Sequence, residues 1–186
     1  MPVEVLFDYS GIDLDHVQLD REGIRGYIEQ RDAVEQLDCV IWVDEEGSRG
    51  LGIRRVRADE WWVKGHIPGN PILPGVMLVE TAAQFSSLIY RYKMERIRHS
   101  TRDFLAFAGI DRARFRAAIY PGDELLFVIQ ERRFSRRRIV ADVQAFTDFR
   151  NGTRGKIVFE AQMIGMPVTY VQPIKQEQDG ALVVVR

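Results

Sequence analysis

A histidine and a glutamate within residues 65–84 have the side chains and the spacing to move protons. His66 lies fourteen residues before Glu80. A neutral imidazole can accept a proton near pH 7. A carboxyl group among apolar residues is costly to ionise, so it can stay protonated and donate a proton. The two side chains are therefore a candidate base and acid.

The loop that follows His66 is stiffened by prolines. Pro68, Pro71 and Pro74 stand at steps of three residues. Each proline fixes φ, removes a backbone donor and restricts the residue before it. We therefore expect residues 66–74 to form an extended connection that holds the imidazole in place.

The residues after this loop predict a buried helix with a positively polarised start. From Val76 onward, apolar residues occupy nearly every side of a helical projection. The first amides of a helix lack carbonyl partners, so those of Gly75 and Val76 are suited to bind an oxygen that gains negative charge. Glu80 and Gln84 lie four residues apart and share one face of this helix.

Taken singly, each of these features has an ordinary structural explanation. A histidine beside a proline-rich loop is most often a structural residue, and a glutamate on an apolar helix usually pairs with an arginine. It is the combination of a base, an acid and an oxyanion site within one short segment that indicates an active site.

The same segment resembles the beta-hydroxyacyl-[acyl carrier protein] dehydratases of fatty-acid synthesis. That family carries the signature His-x-Pro-x-x-Pro-x-x-Pro-Gly, followed by an acid on the next helix. The similarity runs from about residue 37 to about residue 166, and includes the stretch FAGIDRARF at 107–115 and a Pro-Gly-Asp turn at 121–123. The matching positions of the signature and its helix are His66, Pro68, Pro71, Pro74, Gly75, Glu80 and Gln84.

The resemblance implies an α+β, hot-dog fold, in which an antiparallel β-sheet wraps around a long central α-helix. It implies that water is removed from a (3R)-3-hydroxyacyl thioester to give a trans-2-enoyl thioester, with His66 as the base at C2 and Glu80 as the acid at the 3-hydroxyl. The amide of Gly75, with Val76 beside it, would bind the thioester oxygen, and Gln84 would lie at the substrate.

The resemblance also implies the partners of the protein. The acyl chain would arrive on the phosphopantetheine arm of acyl carrier protein, and no metal or other cofactor is expected. Each site would combine His66 of one subunit with Glu80 of its partner, so we expect a homodimer. A trimer of dimers is a further arrangement that the resemblance leaves open.

Three departures from the family pattern leave the acyl chain-length preference open, and two other functions stand beside the dehydratase. The chain lacks the usual Pro-His pair near Gln30, Ile67 replaces a common Phe, and Ala106 stands where an aromatic residue often gates the acyl tunnel. One alternative is a thioesterase on the same fold, in which the glutamate activates water. The other is a non-catalytic protein that binds acyl groups or their carrier, although binding alone would require neither His66 nor Glu80.

A basic cluster lies at the turn between two predicted strands. One interpretation is a docking site for an acidic carrier protein and the phosphate of its arm. The other is a solvated turn that prevents aggregation through strand edges. The cluster consists of Arg132, Arg133, Arg136, Arg137 and Arg138.

Composition predicts one cytoplasmic domain that binds neither nucleic acid nor membrane. The chain has 186 residues, is 46% hydrophobic and carries a net charge of -1. We expect a single domain over residues 1–186, with an N-terminal arm at about 1–23 and a C-terminal tail at about 167–186. No apolar run is long enough to insert in a membrane. Cys39 is the only cysteine, which excludes an internal disulfide and suits the cytoplasm, and we interpret it as a buried strand residue.

The remaining pattern is that of strands around one helix. A short helix is predicted at 24–31, and strands at 39–43 and 51–56. Beyond the long helix, strands are predicted at 113–119 with one wet face, at 125–129 with both faces covered, at 139–149 and at 157–163, with an Asn-Gly hairpin turn at 151–152. This order of elements predicts an α+β protein.

Overall fold

The elements of the fold appear in the order that the sequence predicts. The computed structural model describes residues 4–97, 103–150 and 155–169, together with two short strands near the C-terminus. The elements are α1 (Arg21–Arg25), a 3-10 turn (Asp32–Val34), β1 (Cys39–Val43), β2 (Arg49–Arg55), α2 (Gly75–Arg96), β3 (Asp103–Phe115), β4 (Glu124–Ser135), β5 (Arg138–Thr147), β6 (Lys156–Thr169), β7 (Lys175–Gln176) and β8 (Leu182–Val183).

Six of the strands form one antiparallel sheet. Their order across the sheet is β1-β2-β4-β5-β6-β3, so β1 and β3 are the two edges. Strands β4, β5 and β6 follow one another as hairpins, whereas β3 crosses to the far side of β6. The α+β organisation is confirmed, and the long helix packs against one face of this sheet.

Helix α2 is buried on nearly all sides, as its sequence predicts. Phe85, Leu88 and Ile89 have no exposed surface. Gly50 and Gly52 on β2 face the helix, and a Cβ at Gly50 would lie 3.0 Å from the ring of Phe85. The glycines therefore let the helix approach the sheet closely.

The sheet is covered on both faces. Alternate residues of β4 belong to two separate apolar clusters: Leu125, Phe127 and Ile129 face α2, while Leu126 and Val128 face away from it. All five are fully buried, which confirms the prediction of a strand covered on both sides. The second cover is residues 5–14, the N-terminal arm, whose apolar side chains pack on the outer face of the sheet.

The arm is held by polar as well as apolar contacts. The amide of Leu6 donates to Gln144 Oε1 (3.1 Å), and Gln144 Nε2 donates to the carbonyl of Glu4 (2.9 Å). The ring of Phe7 lies 5.9 Å from that of Trp42, between centroids. This role could not be predicted from the sequence, because the apolar residues of the arm follow no regular period.

Several predicted boundaries were wrong. The helix expected at 24–31 is only the five-residue α1, which is capped by the Asp20 side chain, and the chain turns after Arg25. The strand expected at 113–119 is β3, which begins ten residues earlier and ends at Phe115. Strand β6 continues to Thr169, so the expected tail begins inside the sheet. The predicted turn at 151–152 lies outside the described residues.

Cys39 lies where it was expected, in β1. Its side chain is 6% exposed and faces the arm, and burial raises the pKa of its thiol. A thiol in these surroundings is a packing residue rather than a nucleophile. In the part of the chain that the structure describes, no helix has the length and apolar character needed to cross a lipid bilayer.

The two edge strands of the sheet differ in whether another segment of the chain covers them. The edge of β1 is covered by the chain itself, since Val40 exchanges backbone hydrogen bonds with Leu19 (2.8 and 3.0 Å). The outer edge of β3 pairs with no other described strand, and Phe107 and Phe115 on β3 are each 53% exposed. A long edge strand with exposed aromatic residues is an unusual surface for an isolated chain.

We predict that replacing Phe7 with Ala will weaken the fold, because the arm covers apolar residues of the sheet. The free energy of unfolding should fall by about 1–3 kcal/mol, less than for a fully buried Phe. Urea denaturation followed by tryptophan fluorescence measures this change. The control is Val17→Ala, at a side chain that is 49% exposed. Equal stability of the two variants would contradict the packing of the arm.

Candidate active site

His66 lies at the end of a tight turn, with its side chain half-buried. Its amide donates to the carbonyl of Trp62 (2.8 Å), and Trp62 is itself 1% exposed. The next residue, Ile67, has a φ of +55°, which a β-branched side chain rarely adopts. Such backbone strain persists only where the surrounding structure enforces it, and it is common at functional sites.

The start of α2 presents unpaired amides. Helix α2 begins at Gly75 after the N-cap Pro74, and the amide of Met77 bonds to the Pro74 carbonyl (2.9 Å). Gly75 and Val76 precede that bond, so helix geometry gives their amides no carbonyl partner. A Cβ at Gly75 would lie 3.0 Å from the ring of Phe115, so the absence of a side chain keeps this corner open.

Glu80 is half-buried and held by a neutral partner. Gln84 Nε2 donates to Glu80 Oε1 at 2.8 Å. The same nitrogen donates to the carbonyl of Val34 (2.7 Å), and Gln84 Oε1 accepts from the amide of Gln36 (2.9 Å). Gln84 is 1% exposed and its hydrogen-bonding groups are occupied by the protein. Its place is therefore beside the acid, as expected, but as a support for the carboxyl group.

The segment that holds Gln84 is itself fixed by two arginines. Arg25 binds Glu35 through two hydrogen bonds, from Nε to Oε1 (2.5 Å) and from Nη2 to Oε2 (3.0 Å). Arg31 donates from Nη1 to the carbonyl of Ile28 (2.7 Å) and from Nη2 to that of Arg25 (3.0 Å). The 3-10 turn and its neighbours are thereby locked against α2.

A cavity of about 80 Å³ begins at Glu80 and runs between α2 and the strands β3 and β6. Ala106, which stands where the family often has an aromatic gate, lies in its wall, and so does Gln30, near which the family's Pro-His pair is missing. The other residues that line it are Ala83, Ser86, Ser87, Leu105, Phe107, Met163, Ile164 and Gly165.

A larger cavity, of about 160 Å³, lies on the arm side of the sheet. Its carboxylates already have cationic partners: Asp142 pairs with Arg132 (2.6 Å), and Glu160 pairs with Arg114 (3.5 Å) and Arg116. The smaller cavity, by contrast, is lined by the candidate acid, Glu80.

The arginine cluster is divided by the hairpin of β4 and β5. Arg132 binds Asp142, whereas Arg133, Arg136, Arg137 and Arg138 are exposed at or near the turn. Lys93 of α2 binds Glu131 at 2.7 Å, which places the base of the hairpin beside the C-terminal part of the helix. At 1.5 Å per residue, Lys93 is about 20 Å along the helix from Glu80. Within one chain the cluster is therefore distant from the candidate acid.

The structure brings together some of the expected residues within one chain. Glu80 and Gln84 are in contact, and Gly75 begins the same helix. The hydrogen bonds of Glu80 and His66 do not join these two residues to each other. Gln36 was not among the predicted site residues. It contacts Gln84 through its backbone amide, and every residue except proline has such an amide, so no sequence pattern points to it. Among the described residues, no three His, Cys, Asp or Glu side chains are grouped to hold a metal ion.

The sequence of the chain is similar to that of a known protein family. The model of the FabA-like domain matches residues 28–162. The chain is 39% identical over 113 residues to the 3-hydroxyacyl-[acyl-carrier-protein] dehydratase FabZ of Bacillus cereus (strain AH820), an alignment that covers 60% of this chain and 74% of the relative.

Solved structures share the fold at low sequence identity. The dehydratase heterocomplex ApeI:P from Xenorhabdus doucetiae superposes with a TM-score of 0.65 at 13% identity, covering 78% of this chain and 91% of that one. A hypothetical thioesterase with coenzyme A from Streptococcus pneumoniae TIGR4 superposes with a TM-score of 0.52 at 12% identity, covering 78% and 91%. The hot-dog fold expected from the sequence is confirmed.

We predict that Glu35→Gln will destabilise the protein at pH 7 but not in acid. The Arg25 guanidinium lowers the pKa of the Glu35 carboxyl by hydrogen bonding. In the unfolded chain the pKa of a glutamate is about 4.3, and in the folded protein that of Glu35 is lower. The ionised carboxyl therefore stabilises the folded state above about pH 4.3, and this contribution to the free energy of unfolding is lost as the pH falls through the lower, folded-state pKa. The urea midpoints of the variant and the wild type should therefore differ at pH 7 and converge as the pH falls through the lowered pKa of Glu35.

The matched control is Glu22→Gln, because Glu22 also binds Arg25 (3.1 Å) but its side chain is 81% exposed. Its effect at pH 7 should be smaller, since exposed ion pairs contribute little. A difference between Glu35→Gln and wild type that stays constant from pH 7 to pH 3 would contradict the proposed linkage.

Proposed function

Because the chain belongs to the FabA-like domain family, we propose that His66 and Glu80 carry out the dehydration for which its relatives are named. The protein is an enzyme, a 3-hydroxyacyl-[acyl carrier protein] dehydratase of fatty-acid biosynthesis. The observation that carries the assignment of residues is the Glu80 carboxyl group, which is half-buried, held by Gln84 and open to a cavity along α2.

The proposed reaction is an elimination that needs one base and one acid. His66 takes the proton from C2 of the 3-hydroxyacyl thioester, and the electron pair left at C2 forms the double bond to C3. Glu80 gives a proton to the 3-hydroxyl, which leaves as water. The proton balance is restored when the imidazolium and the carboxylate exchange a proton with solvent. The reaction is redox-neutral, and the acyl group stays on the phosphopantetheine arm of the carrier.

The partner of Glu80 suits the acid role. Gln84 donates to Oε1, so Oε1 acts as the acceptor and Oε2 is left to carry the proton. A guanidinium in the same place would hold the group as a carboxylate. The neutral amide fixes the position of the carboxyl without fixing its charge.

The start of α2 is the proposed oxyanion site. As C2 loses its proton, charge develops on the thioester oxygen, and the amides of Gly75 and Val76 point out of the helix where that oxygen would lie. One such donor can be worth about 3 kcal/mol of transition-state stabilisation.

The site requires a second copy of the chain, which we propose pairs along β3. The edge of β3 is open among the described residues, and exposed apolar side chains flank it and the start of α2. They are Phe107, Phe115, Met166, Val168, Ile67 and Val76, of which Val76 is the most exposed, at 70%. Pairing of two β3 edges would bury these groups and bring His66 of one protomer toward Glu80 of its partner.

We propose a cytoplasmic location, where the single thiol, Cys39, stays reduced without a partner. No further cofactor enters the elimination. The acyl tail would occupy the cavity beyond Glu80, where Ala106 leaves room that an aromatic side chain would fill.

We predict that His66→Ala and Glu80→Ala will each abolish dehydration of 3-hydroxybutyryl carrier protein and yet complement each other when mixed. Loss of a general base or acid costs about 10²–10⁴-fold in rate. After the two variants are unfolded and refolded together, half of the dimers are mixed, and each has one intact site. The mixture should recover about a quarter of wild-type activity, measured by the enoyl absorbance.

Two results would count against this proposal. If the mixture stays inactive although sedimentation shows mixed dimers, the two residues do not form a shared site. If wild type releases free thiol from the thioester instead of forming the enoyl product, the thioesterase is the correct alternative.

If the arginine cluster docks the carrier protein, reversing its charge should weaken binding of the carrier-bound substrate. Arg136→Glu combined with Arg137→Glu should raise KM for the carrier-bound substrate about tenfold through loss of electrostatic attraction, while a small thioester analogue reacts as before. The analogue is the control, because it has no carrier to dock. Equal kinetics of the variant and wild type on the carrier substrate would assign the cluster to a solvated turn.

A further inference from the structure

Hydrogen bonds connect one buried arginine with the candidate acid and with the candidate base of the same chain. Arg54, on β2, is 2% exposed. Its Nη2 donates to Glu60 Oε2 at 2.8 Å, and its Nη1 donates to Gln36 Oε1. Each of the two bonds begins a path through the protein.

The first path leads to Glu80. Gln36, which is 4% exposed, donates its amide to Gln84 Oε1 (2.9 Å). Gln84 in turn donates from Nε2 to Glu80 Oε1 (2.8 Å). Three hydrogen bonds therefore connect the guanidinium of Arg54 with the carboxyl of the proposed acid.

The second path leads to His66. Glu60 Oε2 also accepts from Trp62 Nε1 (2.8 Å), and the carbonyl of Trp62 accepts from the amide of His66 (2.8 Å). The other oxygen, Glu60 Oε1, accepts from the amide of Arg57 (2.8 Å), which fixes the start of the same turn. The strained residue Ile67 follows directly.

The buried charge is not explained by stability. Removing a guanidinium from water is costly, and here burial lowers the pKa of Arg54. Its Nε lacks a hydrogen-bond partner among the described residues. A buried ion pair can often be replaced by apolar residues of similar volume without loss of stability. What apolar residues cannot supply is a fork of donors that reaches Gln36 and Glu60 at once.

We propose that Arg54 is a positioning residue, which holds the carboxyl of Glu80 and the turn before His66 in fixed relation to each other through Gln36 and Glu60. The proposal rests on the function proposed above. Because each site takes His66 from one protomer and Glu80 from the other, the Arg54 network of one chain serves both sites of the dimer.

The experiment replaces the pair by apolar residues, as Arg54→Met with Glu60→Leu. No unpaired charge is left behind, but Trp62 Nε1 and Gln36 Oε1 each lose a hydrogen-bond partner, so the urea midpoint should fall modestly while the dimer in sedimentation matches wild type. A misplacement of catalytic groups by about 1 Å can cost 10²-fold, so we expect kcat to fall by about 10–100-fold. KM should stay within about twofold, because the cavity wall is untouched.

Three further variants separate positioning from general damage. Arg54→Lys keeps the charge but lacks the fork, so kcat should lie between wild type and the double variant. Gln36→Met breaks the path toward Glu80, together with the bonds from Gln36 Nε2 to the carbonyls of Ala33 (3.3 Å) and Val34 (3.1 Å). It keeps the backbone bond to Gln84, so kcat should fall with the ion pair intact. The matched control is Arg55→Met, at the neighbouring side chain, which is 54% exposed and pairs with Glu124 (3.1 Å). It should leave kcat unchanged.

A spectroscopic readout keeps this proposal distinct from the function it rests on. In protein labelled with ¹³C at glutamate carboxyls, the Glu80 resonance should move in the double variant and in Gln36→Met but not in Arg55→Met. If wild type fails to dehydrate while the resonance moves as stated, the proposed function fails and the network stands. If wild type is active but kcat is unchanged in both the double variant and Gln36→Met, the positioning role of Arg54 is overturned. If the double variant does not fold, an unchanged kcat in Gln36→Met alone overturns the positioning role of Arg54.

Discussion

The burial of α2 is the constraint on which the rest of the structure depends. A helix that is apolar on nearly every side has no face to offer to water, so it must be covered all round. One sheet covers most of it, and Gly50 and Gly52 allow the sheet to come close. The central strands are therefore apolar on the face that contacts the helix. Their opposite face also carries apolar residues, and the N-terminal arm covers these.

This constraint also decides where a reactive group can exist. A carboxyl group on a buried helix requires a partner, and the ordinary partner is an arginine. Glu80 has Gln84 instead, one turn along the same helix, and Gln84 is held from behind by Val34 and Gln36. The carboxyl is thus fixed in place by a neutral partner.

Two kinds of strained or costly feature lie near this site: one directly follows the candidate base, and the other lies on β2 and bonds to the segments that lead to both candidate groups. Ile67 has a left-handed backbone beside the candidate base, and Arg54 is a cation without access to water. A protein that needed only stability would have little use for either. Ile67 directly follows the turn at residues 60–66, and Arg54 hydrogen-bonds both to Glu60 of that turn and to Gln36 next to the 3-10 turn.

The sequence by itself determined the central helix and the fold class, and it singled out the candidate residues His66 and Glu80, because these leave local marks. Prolines at fixed steps, an apolar run of helical length and alternating strands are each visible within ten or twenty residues. The tertiary structure decided what depends on contacts between distant segments. It placed the arm on the outer face of the sheet, extended β3 to an open edge, and moved the basic hairpin to the far end of α2. It also joined Gln36, Arg54 and Glu60, because a buried polar group finds its partner by the packing of separate elements, and nothing in the spacing of these three residues along the chain records that they meet.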